Sequence, residues 1–364
     1  MGAATGGKDA RLVLLFASAH YDLGALAAAA QEQASRARVV GCSTAAELAT
    51  SAPSEAHVTA LALGGPGFAV ATAAASIAQH GPHEAAAVAA DCVYDLEPGP
   101  HRAVLLLSDG LEGDPAELVR GAYAVVGAEV PLVGGCTGDT VGMRPTGQIH
   151  DGRALTGHVV AVALASDAPI GIGVGHACVP RGEPMLVTSA RGRSVLGLDG
   201  RPALDVYLER AGAPEDARTD AAAFARFAAT RPLGLLRRDG TPAARTIAAA
   251  DFDERSIRSI AAIPEGERAW MMDGEPGAVL AATDAACEGA HAGIDGERPL
   301  AMVAFDGVGR RAVLGKTGVS EELDRIARCG GGAPLAGFYT YGGIARTNGS
   351  AGFHNQALVL LALS

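Results

Sequence analysis

The chain has 364 residues and a formal net charge of −11, and nearly half of its residues are apolar. A chain of this length is too long for one ordinary hydrophobic core and predicts two domains. The acidic balance argues against a nucleic acid or an anionic membrane surface as partner, because both require basic protein surface.

The cysteine pattern and the absence of targeting signals indicate a cellular compartment. The cysteines, at positions 42, 92, 136, 178, 287 and 329, never show Cys-x-x-Cys spacing. This predicts reduced thiols, not a disulfide framework or a zinc site. The first nine residues lack the order of a signal peptide, and no window approaches the length of a membrane span. We therefore expect a soluble cytoplasmic protein.

The first elements form a recognisable unit. Residues 12–16 are an apolar strand, Asp22 caps a following helix, and residues 38–40 predict a second short strand. That strand is expected to stop at a glycine turn, residues 41–44, before a third strand at 57–63. The order is strand, helix, strand, turn, strand.

The same order recurs twice. A strand at 103–107, a helix from Asp114 and Pro115, the glycine turn 134–139 and a strand at 157–164 form the second copy. A strand at 300–305, a helix capped by Ser320, the aromatic glycine turn 337–343 and a strand at 357–363 form the third. We predict the α/β class, with mixed sheets and repeated units arranged in two lobes; α+β is the alternative.

The stretch between the second and third copies sets the predicted domain boundary. Packing signals are weakest at residues 180–193, so we predict domains at 1–188 and 189–364. The glycine repeat at 171, 173 and 175 is followed by a sequence that cannot open a helix, which excludes a dinucleotide fingerprint. A Walker motif, a Gly-x-Ser-x-Gly elbow and His-Glu-x-x-His are all absent from the sequence. We expect no cofactor, no metal and no catalytic residue of these kinds.

Four motifs together resemble the FIST family, which pairs a FIST N domain with a FIST C domain. They are Val40-Gly-Cys-Ser-Thr-Ala-Ala-Glu47, Leu106-Leu-Ser-Asp-Gly-Leu111, Pro131-Leu-Val-Gly-Gly-Cys-Thr-Gly-Asp139, and Gly337-Phe-Tyr-Thr-Tyr-Gly342 with Phe353-His-Asn-Gln356. The resemblance covers nearly the whole chain, so domain 1–188 is FIST N-like and domain 189–364 is FIST C-like. It implies a sensory module of bacterial signal transduction that binds small ligands such as amino acids.

The resemblance has two departures and one consequence. The family's usual Gly-Glu-Ile reads Gly342-Gly343-Ile344 here, and the Gly-Glu after Ser-Thr-Ala reads Ala46-Glu47. We hypothesise that Gly343→Glu changes ligand preference if this turn lines the pocket, and changes only stability if it does not. Some members are fused to kinase or chemoreceptor parts, which this chain lacks, so we expect its output to pass through a separate signalling protein.

The glycine turns and the polar cluster before the last strand supply the candidate ligand-binding residues. Strand ends in α/β sheets collect ligands, and successive N–H groups at glycines can hold a carboxylate. Histidine, asparagine and arginine side chains add donors and acceptors. The candidates are Cys42, Ser43, Thr44, Asp109, Gly135, Cys136, Thr137, Asp139, Tyr339, Tyr341, Arg346, His354 and Asn355.

Each candidate also has a purely structural interpretation. The turns could be tight connections of small residues, and Asn355 could organise the tyrosine turn. Asp109 could cap the loop that follows it, and Arg346 could pair with an exposed acid.

Three functions remain open at this point. We favour a sensory protein that binds an amino acid or small carboxylate. The alternative is an enzyme that acts on a small metabolite through Cys42 or Cys136, or through an acid–base residue. Nothing in the sequence sets a histidine beside either thiol, so inert buried cysteines are favoured over a nucleophile. The second alternative is a scaffold that recruits a protein partner.

Overall fold

The computed structural model describes residues 10–49, 57–97, 99–138, 146–237, 240, 242–347 and 352–364. The strands are β1 (Leu12–Ser18), β2 (Arg38–Thr44), β3 (Glu47–Ala49), β4 (Val58–Leu63), β5 (Phe68–Ser76), β6 (His101–Ser108), β7 (Leu132–Cys136), β8 (Gln148–His150), β9 (Arg153–Leu155), β10 (His158–Ser166), β11 (Ile170–His176), β12 (Val179–Arg191), β13 (Ser194–Leu198), β14 (Arg201–Pro202), β15 (Leu233–Leu236), β16 (Pro242–Arg245), β17 (Ile247–Asp251), β18 (Ser256–Ser259), β19 (Arg268–Asp273), β20 (Ala301–Gly307), β21 (Leu335–Thr340), β22 (Gly343–Arg346), β23 (Phe353–His354) and β24 (Ala357–Leu363). The helices are α1 (Leu23–Gln33), α2 (Ile77–His80), α3 (Pro82–Ala90), α4 (Pro115–Val126), α5 (Ala203–Arg210), α6 (Ala221–Ala228), α7 (Pro276–Ala292) and α8 (Val308–Cys329), with short 3-10 turns at Asp91–Asp95 and Asp216–Arg218.

Three units share one topology, which confirms the predicted α/β class with mixed sheets and repeated units. Unit A contains β1, α1, β2 and β4; unit B contains β6, α4, β7 and β10; unit C contains β20, α8, β21 and β24. In each unit the first two strands are parallel and joined by the helix. The last strand returns antiparallel on the other side of the first.

The three units exchange short strands in a cycle. β3 follows the second strand of unit A but pairs with β21 of unit C. β8 follows the second strand of unit B but pairs with β2 of unit A. β22 follows the second strand of unit C but pairs with β7 of unit B. Each sheet is therefore extended beyond its own second strand by a short strand that follows the second strand of another unit.

The three sheets enclose a common core. Buried side chains from β1, β6, β20 and their neighbours pack together at the centre. Phe338 joins unit C to unit A, since its ring lies 4.9 Å from that of Phe16, and it also packs on Phe305 of its own unit at 5.5 Å. Helices pack against the outer faces in separate clusters. Coverage on both faces explains why these strands read as continuous apolar runs.

The predicted glycine turns are wrong, because each glycine lies inside a strand. Gly41, Gly134 and Gly337 occupy β2, β7 and β21, at the same register in the three units. A Cβ at each would overlap the carbonyl oxygen of its partner on the parallel strand, which is Leu15, Leu106 and Ala304 respectively. The glycines allow close approach of two strands, and their backbones are paired within sheets and do not form an anion-binding turn.

Helix α8 begins earlier than the sequence predicted. It starts at Val308, and Gly315, with φ 61° and ψ −173°, interrupts it. Ser320 lies inside the helix, where its hydroxyl donates to the Lys316 carbonyl oxygen at 3.4 Å, so it is not an N-cap. The predicted start was wrong because a glycine that breaks the helical dihedrals also breaks the sequence pattern.

A separate sheet is inserted between units B and C. Strands β12 to β19 form it, and α5 and α6 cover it over a hydrophobic cluster of its own. The domain boundary predicted at 188/189 falls within β12, and the division into two domains stays a prediction. Across all residues with described structure, no helix has the length and apolar character that a bilayer crossing requires.

Candidate functional site

A cavity of about 650 Å³ lies where unit A, unit C and the inserted sheet meet. The floor of the cavity is formed by Ala45, Ala46, Glu47, Tyr339 and Tyr341. One wall is a face of α8, formed by Val308, Arg311, Ala312, Gly315, Lys316, Val319 and Ser320. The opposite wall is formed by Ala225, Arg226, Ala229, Thr246, Ile247, Ala248 and Ile260. The α8 residues recur at intervals of three and four, so they share one side of the helix.

The floor forms where two strands end. β2 ends at Thr44 and β21 at Thr340, and the Tyr339 N–H donates to the Ala46 carbonyl oxygen at 2.8 Å. The two segments are therefore joined directly beneath the cavity. This is the edge of an α/β sheet at which ligands usually bind.

The walls carry an excess of positive charge. Arg226, Arg311 and Lys316 line the cavity, against the one carboxylate of Glu47 among the described lining residues. The Arg311 guanidinium lies 5.3 Å from the centroid of the Tyr339 ring, a distance that permits a cation–π contact. In the described part of the chain, the side chains of Arg226 and Lys316 make no ion pair.

Glu47 is held in place by its neighbours. Its carboxylate accepts the Thr44 hydroxyl and, at 3.2 Å, the His57 N–H. Burial is the largest influence on this group and raises the pKa of Glu47, while these hydrogen bonds act in the opposite direction. A carboxylate has about four acceptor positions, so capacity remains for a donor from the cavity.

Tyr339 connects the floor to a buried charged cluster. Its hydroxyl is buried and has no hydrogen-bond partner among the described residues. Burial, and then the nearby carboxylates of Asp306 and Glu322, raise the pKa of Tyr339 well above its usual value. The hydroxyl therefore keeps its proton and can act as a donor.

The charged cluster has one arginine between two acids. The Arg310 Nε donates to Asp306 Oδ1 at 2.6 Å, and the Arg310 Nη2 donates to Glu322. Thr283 adds a hydroxyl that donates to Glu322 at 2.7 Å. Burial, and then the Glu322 carboxylate, raise the pKa of Asp306 well above its usual value.

Of the predicted residues, Tyr339 and Tyr341 line the cavity, and Asn355 supports them. Its Nδ2 donates to the Tyr341 carbonyl oxygen at 2.8 Å, and its Oδ1 accepts the Thr246 N–H at 3.3 Å. Asn355 thereby ties the floor to the opposite wall. Gln356 contacts the same wall, since its Nε2 donates to the Ala229 carbonyl oxygen at 3.0 Å.

Cys42, Ser43 and Thr44 lie beneath the floor and are not among the lining residues. Ser43 accepts the Gly147 N–H at 2.9 Å, and Thr44 donates to Glu47. Burial raises the pKa of Cys42 well above its usual value. A thiol that keeps its proton at neutral pH is a poor nucleophile.

Asp109 belongs to a second buried network, in unit B. Its Oδ1 accepts the N–H groups of Leu111 and Glu112 at 2.8 and 3.1 Å, and its Oδ2 accepts the Thr146 hydroxyl at 3.0 Å. Thr137 donates to the same Thr146 hydroxyl at 2.6 Å. These contacts make Asp109 a loop cap with its oxygens occupied by the protein.

Cys136 and Gly135 lie between units B and C. Burial raises the pKa of Cys136 to about 12, and the Ser108 hydroxyl lies 3.2 Å from its sulfur. The Cys136 carbonyl oxygen accepts the Thr340 hydroxyl at 2.5 Å. A Cβ at Gly135 would stand 3.0 Å from that hydroxyl. Both positions are packing sites at the junction.

The remaining predicted residues lie elsewhere. The Arg346 guanidinium stacks 3.4 Å from the centroid of the Tyr123 ring and is 4% exposed. His354 Nε2 donates to the Ala345 carbonyl oxygen at 2.9 Å, and burial lowers the pKa of His354 to about 3. Asp139 lies outside the described residues.

The chain matches the models of two protein domains. The FIST N domain model matches residues 11–201, and the FIST C domain model matches residues 203–346. The chain belongs to the FIST family. FIST domains are sensory domains of signal transduction. A search of curated proteins found no match.

The FIST departure at Gly343 lies away from the cavity. Gly343 is buried in β22, where it pairs with Gly135 and His354. A Cβ at this position would stand 2.8 Å from Val359 Cγ2. A side chain here would therefore have to displace Val359, and Gly343 is not among the residues that line the cavity.

The cationic residues that line the cavity were not identified from the sequence. Arg311 and Lys316 precede the predicted helix start at Ser320, so the face they share was not visible. Arg226 lies on α6, in the inserted sheet region, and meets α8 only through tertiary packing. The spacing of Arg311, Gly315 and Lys316 would have indicated a shared helix face if the predicted helix had been extended across the glycine.

Proposed function

We propose that this FIST protein is an intracellular sensor that binds an amino acid or another small carboxylate in the cavity above Tyr339. The observation that carries the proposal is a cavity with three cationic side chains and one acid among its described lining residues. The ligand carboxylate is assigned to the cations, and an amino group, where present, to Glu47.

Charge supports the carboxylate. Arg226 and Lys316 make no ion pair in the described structure, so a ligand would not have to displace an acid from them. Hydrogen bonds between charged groups are about twice as strong as neutral ones. The Tyr339 hydroxyl, buried and protonated, is a further donor at the floor.

Size and apolar lining support a small metabolite. A volume of about 650 Å³ falls within the usual range of ligand pockets. Alanine, valine and isoleucine side chains form much of both walls. Such a surface suits the hydrocarbon portion of an amino acid.

The position of the cavity supports a signalling role. A ligand there would touch the floor shared by units A and C, helix α8, and α6 of the inserted sheet. A ligand that binds one arrangement of these parts more tightly shifts the population toward it. A separate signalling protein that recognises that arrangement would read the signal.

A ligand screen tests the proposal. Thermal unfolding is measured with each amino acid and a panel of small carboxylates, followed by calorimetry on every hit. A ligand at 100 times its dissociation constant adds about 2.7 kcal/mol to the free energy of unfolding. We expect Lys316→Met and Arg226→Met each to weaken the hit about tenfold, through loss of one charged contact.

Arg328→Met is the matched control, because Arg328 lies on the same helix α8 but does not line the cavity. It should leave the dissociation constant unchanged. The proposal fails if no compound in the panel stabilises the protein, or if Arg328→Met weakens binding as much as Lys316→Met does.

A further inference from the structure

Two cysteines meet where helices α7 and α8 pack together. Cross-helix contacts advance along both helices in step, from Thr283 with Glu322 to Asp284 with Arg325. One turn further, Cys287 on α7 stands beside Cys329, the last residue of α8, and each thiol shifts the pKa of the other. Cys329 also packs against the buried cluster that contains Cys287.

A histidine completes the group. His291 lies one turn after Cys287 on α7, and its Nε2 donates to the Cys329 carbonyl oxygen at 2.7 Å. The neighbouring Cys287 thiol, and then the nearby His291 side chain, lower the pKa of Cys329 to about 7. The same thiol contact raises the pKa of Cys287. Of the two sulfurs, Cys329 is therefore the one that ionises more readily.

The other cysteines differ in environment. Burial raises the pKa of Cys92 to about 11 and that of Cys178 to about 11. Cys178 is half-buried, as Cys329 is. Cys178 is therefore a control of matched exposure that lacks the thiol neighbour.

We propose that Cys329 and Cys287 form an oxidation site, at which a peroxide converts the pair into a disulfide between α8 and α7. The Cys329 thiolate attacks one peroxide oxygen, the O–O bond breaks, and a sulfenic acid and hydroxide form. The Cys287 sulfur then attacks the sulfenic sulfur. The S–S bond forms, and water leaves with the Cys287 proton. The pair loses two electrons, and the peroxide gains them.

The site is placed to affect the cavity wall. Arg311, Lys316 and Ser320 lie on the same helix whose last residue would be covalently fixed. Oxidation would hold that end of α8 against α7. The chemistry at the cysteines does not depend on the ligand proposal, and its test uses no ligand.

Alkylation rates test the reactivity of Cys329 in the full chain. Iodoacetamide labelling is followed by peptide mass spectrometry from pH 5 to 10. At pH 7 we expect Cys329 to react about a hundredfold faster than Cys178, after its lower nucleophilicity is taken into account. The rate at Cys329 should reach half its maximum near pH 7. Equal rates at the two cysteines would overturn the proposal.

Peroxide treatment tests the disulfide. The wild-type protein should lose two free thiols and yield a linked peptide that contains Cys287 and Cys329. Cys287→Ser should instead accumulate a sulfenic acid at Cys329, which dimedone traps. Cys329→Ser should give neither product, and Cys178→Ser should behave as the wild type.

The wild-type peptide map tests whether the Cys287–Cys329 disulfide forms, even where a variant fails to fold. Absence of the linked peptide, or linkage of Cys287 to another cysteine, would refute the site.

Discussion

Single glycines determine how closely the parallel strands approach in all three units. Gly41, Gly134 and Gly337 face the carbonyl oxygen of the neighbouring strand, at the same register. Any side chain would have to push the two strands apart, and the common core lies directly behind them. The constraint is steric, and it appears three times because the units share one topology.

We therefore expect Gly337→Ala to destabilise the protein strongly. The added Cβ overlaps the Ala304 carbonyl oxygen, which is backbone and cannot rotate away. Overpacking of this kind costs about 3 kcal/mol, and the midpoint of urea unfolding should fall accordingly.

Gly277→Ala is the control for that measurement. Gly277 lies in the first turn of α7, where a Cβ would meet no atom within 4 Å. Alanine there should leave stability unchanged or raise it by about 0.5 kcal/mol. If both variants unfold at the same urea concentration, close approach of β20 and β21 is not what requires the glycine.

At the scale of elements, small residues and buried charges fix α7. Gly171, Gly173 and Gly175 of β11 each lie under a carbonyl oxygen of α7, from Ala290, Ala286 and Ala282 respectively. This explains the glycine repeat, which lets the helix lie directly on the strand. On its other side, Thr283 joins α7 to the cluster of Asp306, Arg310 and Glu322.

That cluster predicts a pH dependence. The pKa of Asp306 is raised in the folded protein, so the folded state holds the proton more tightly than the unfolded state. The stabilisation is complete below the unfolded pKa, about 4, and is lost as the pH rises through the folded pKa. Asp306→Asn stays neutral at every pH and keeps the oxygen that accepts from Arg310.

The difference in unfolding free energy between Asp306→Asn and the wild type should therefore grow with pH. Between the unfolded and the folded pKa of Asp306 the slope approaches about 1.4 kcal/mol per pH unit. Urea unfolding of both proteins from pH 5 to 8 measures it, and groups common to both cancel. A constant difference across that range would show that Asp306 is ionised in the folded protein throughout.

Local signals in the sequence sufficed for most elements. Asp22 and Asp114 cap α1 and α4, where they accept the N–H groups of Ala25 and Ala116 at 3.0 and 2.9 Å. Caps and apolar runs act within a few residues, so they can be read from the chain. The start of α8 was missed because Gly315 breaks the helical dihedrals within it.

Non-local contacts could not be read in the same way. The partners of β3, β8 and β22 lie in other units. The sequences of these short strands do not indicate which strand each one pairs with. The candidate site was found in part, through Tyr339 and Tyr341. Its cations come from α6 and α8, which meet only after the inserted sheet has packed against unit C.

For the whole molecule, the cyclic exchange of strands makes the three units interdependent. Loss of any unit removes an edge strand from another sheet and exposes the common core. The FIST N match, residues 11–201, contains units A and B but neither β21 nor β22. These two units therefore lack structural partners without the FIST C portion.

Hydrogen exchange under native conditions tests this interdependence. Amides of β1, β6 and β20, the central strands of the three units, should exchange through a single opening with one shared free energy. Strands of the inserted sheet, such as β15, provide the comparison, because the described residues of β15 pair with β16 and β19 of that sheet. A distinctly lower opening energy for β1 than for β20 would mean that the units unfold independently.

The cyclic exchange of strands between units also sets the order in which the sheets can form during synthesis. Ala49 pairs with Ala336, so an early segment leaves the ribosome long before its partner strand exists. The sheet of unit B likewise cannot close until β22 has been made. Long sequence separation between contacts slows folding, and exposed strand edges in the waiting chain are prone to aggregation. Production of this protein should therefore depend on chaperones that cover nascent strands. Prompt completion of the chain should help folding more than slow translation does.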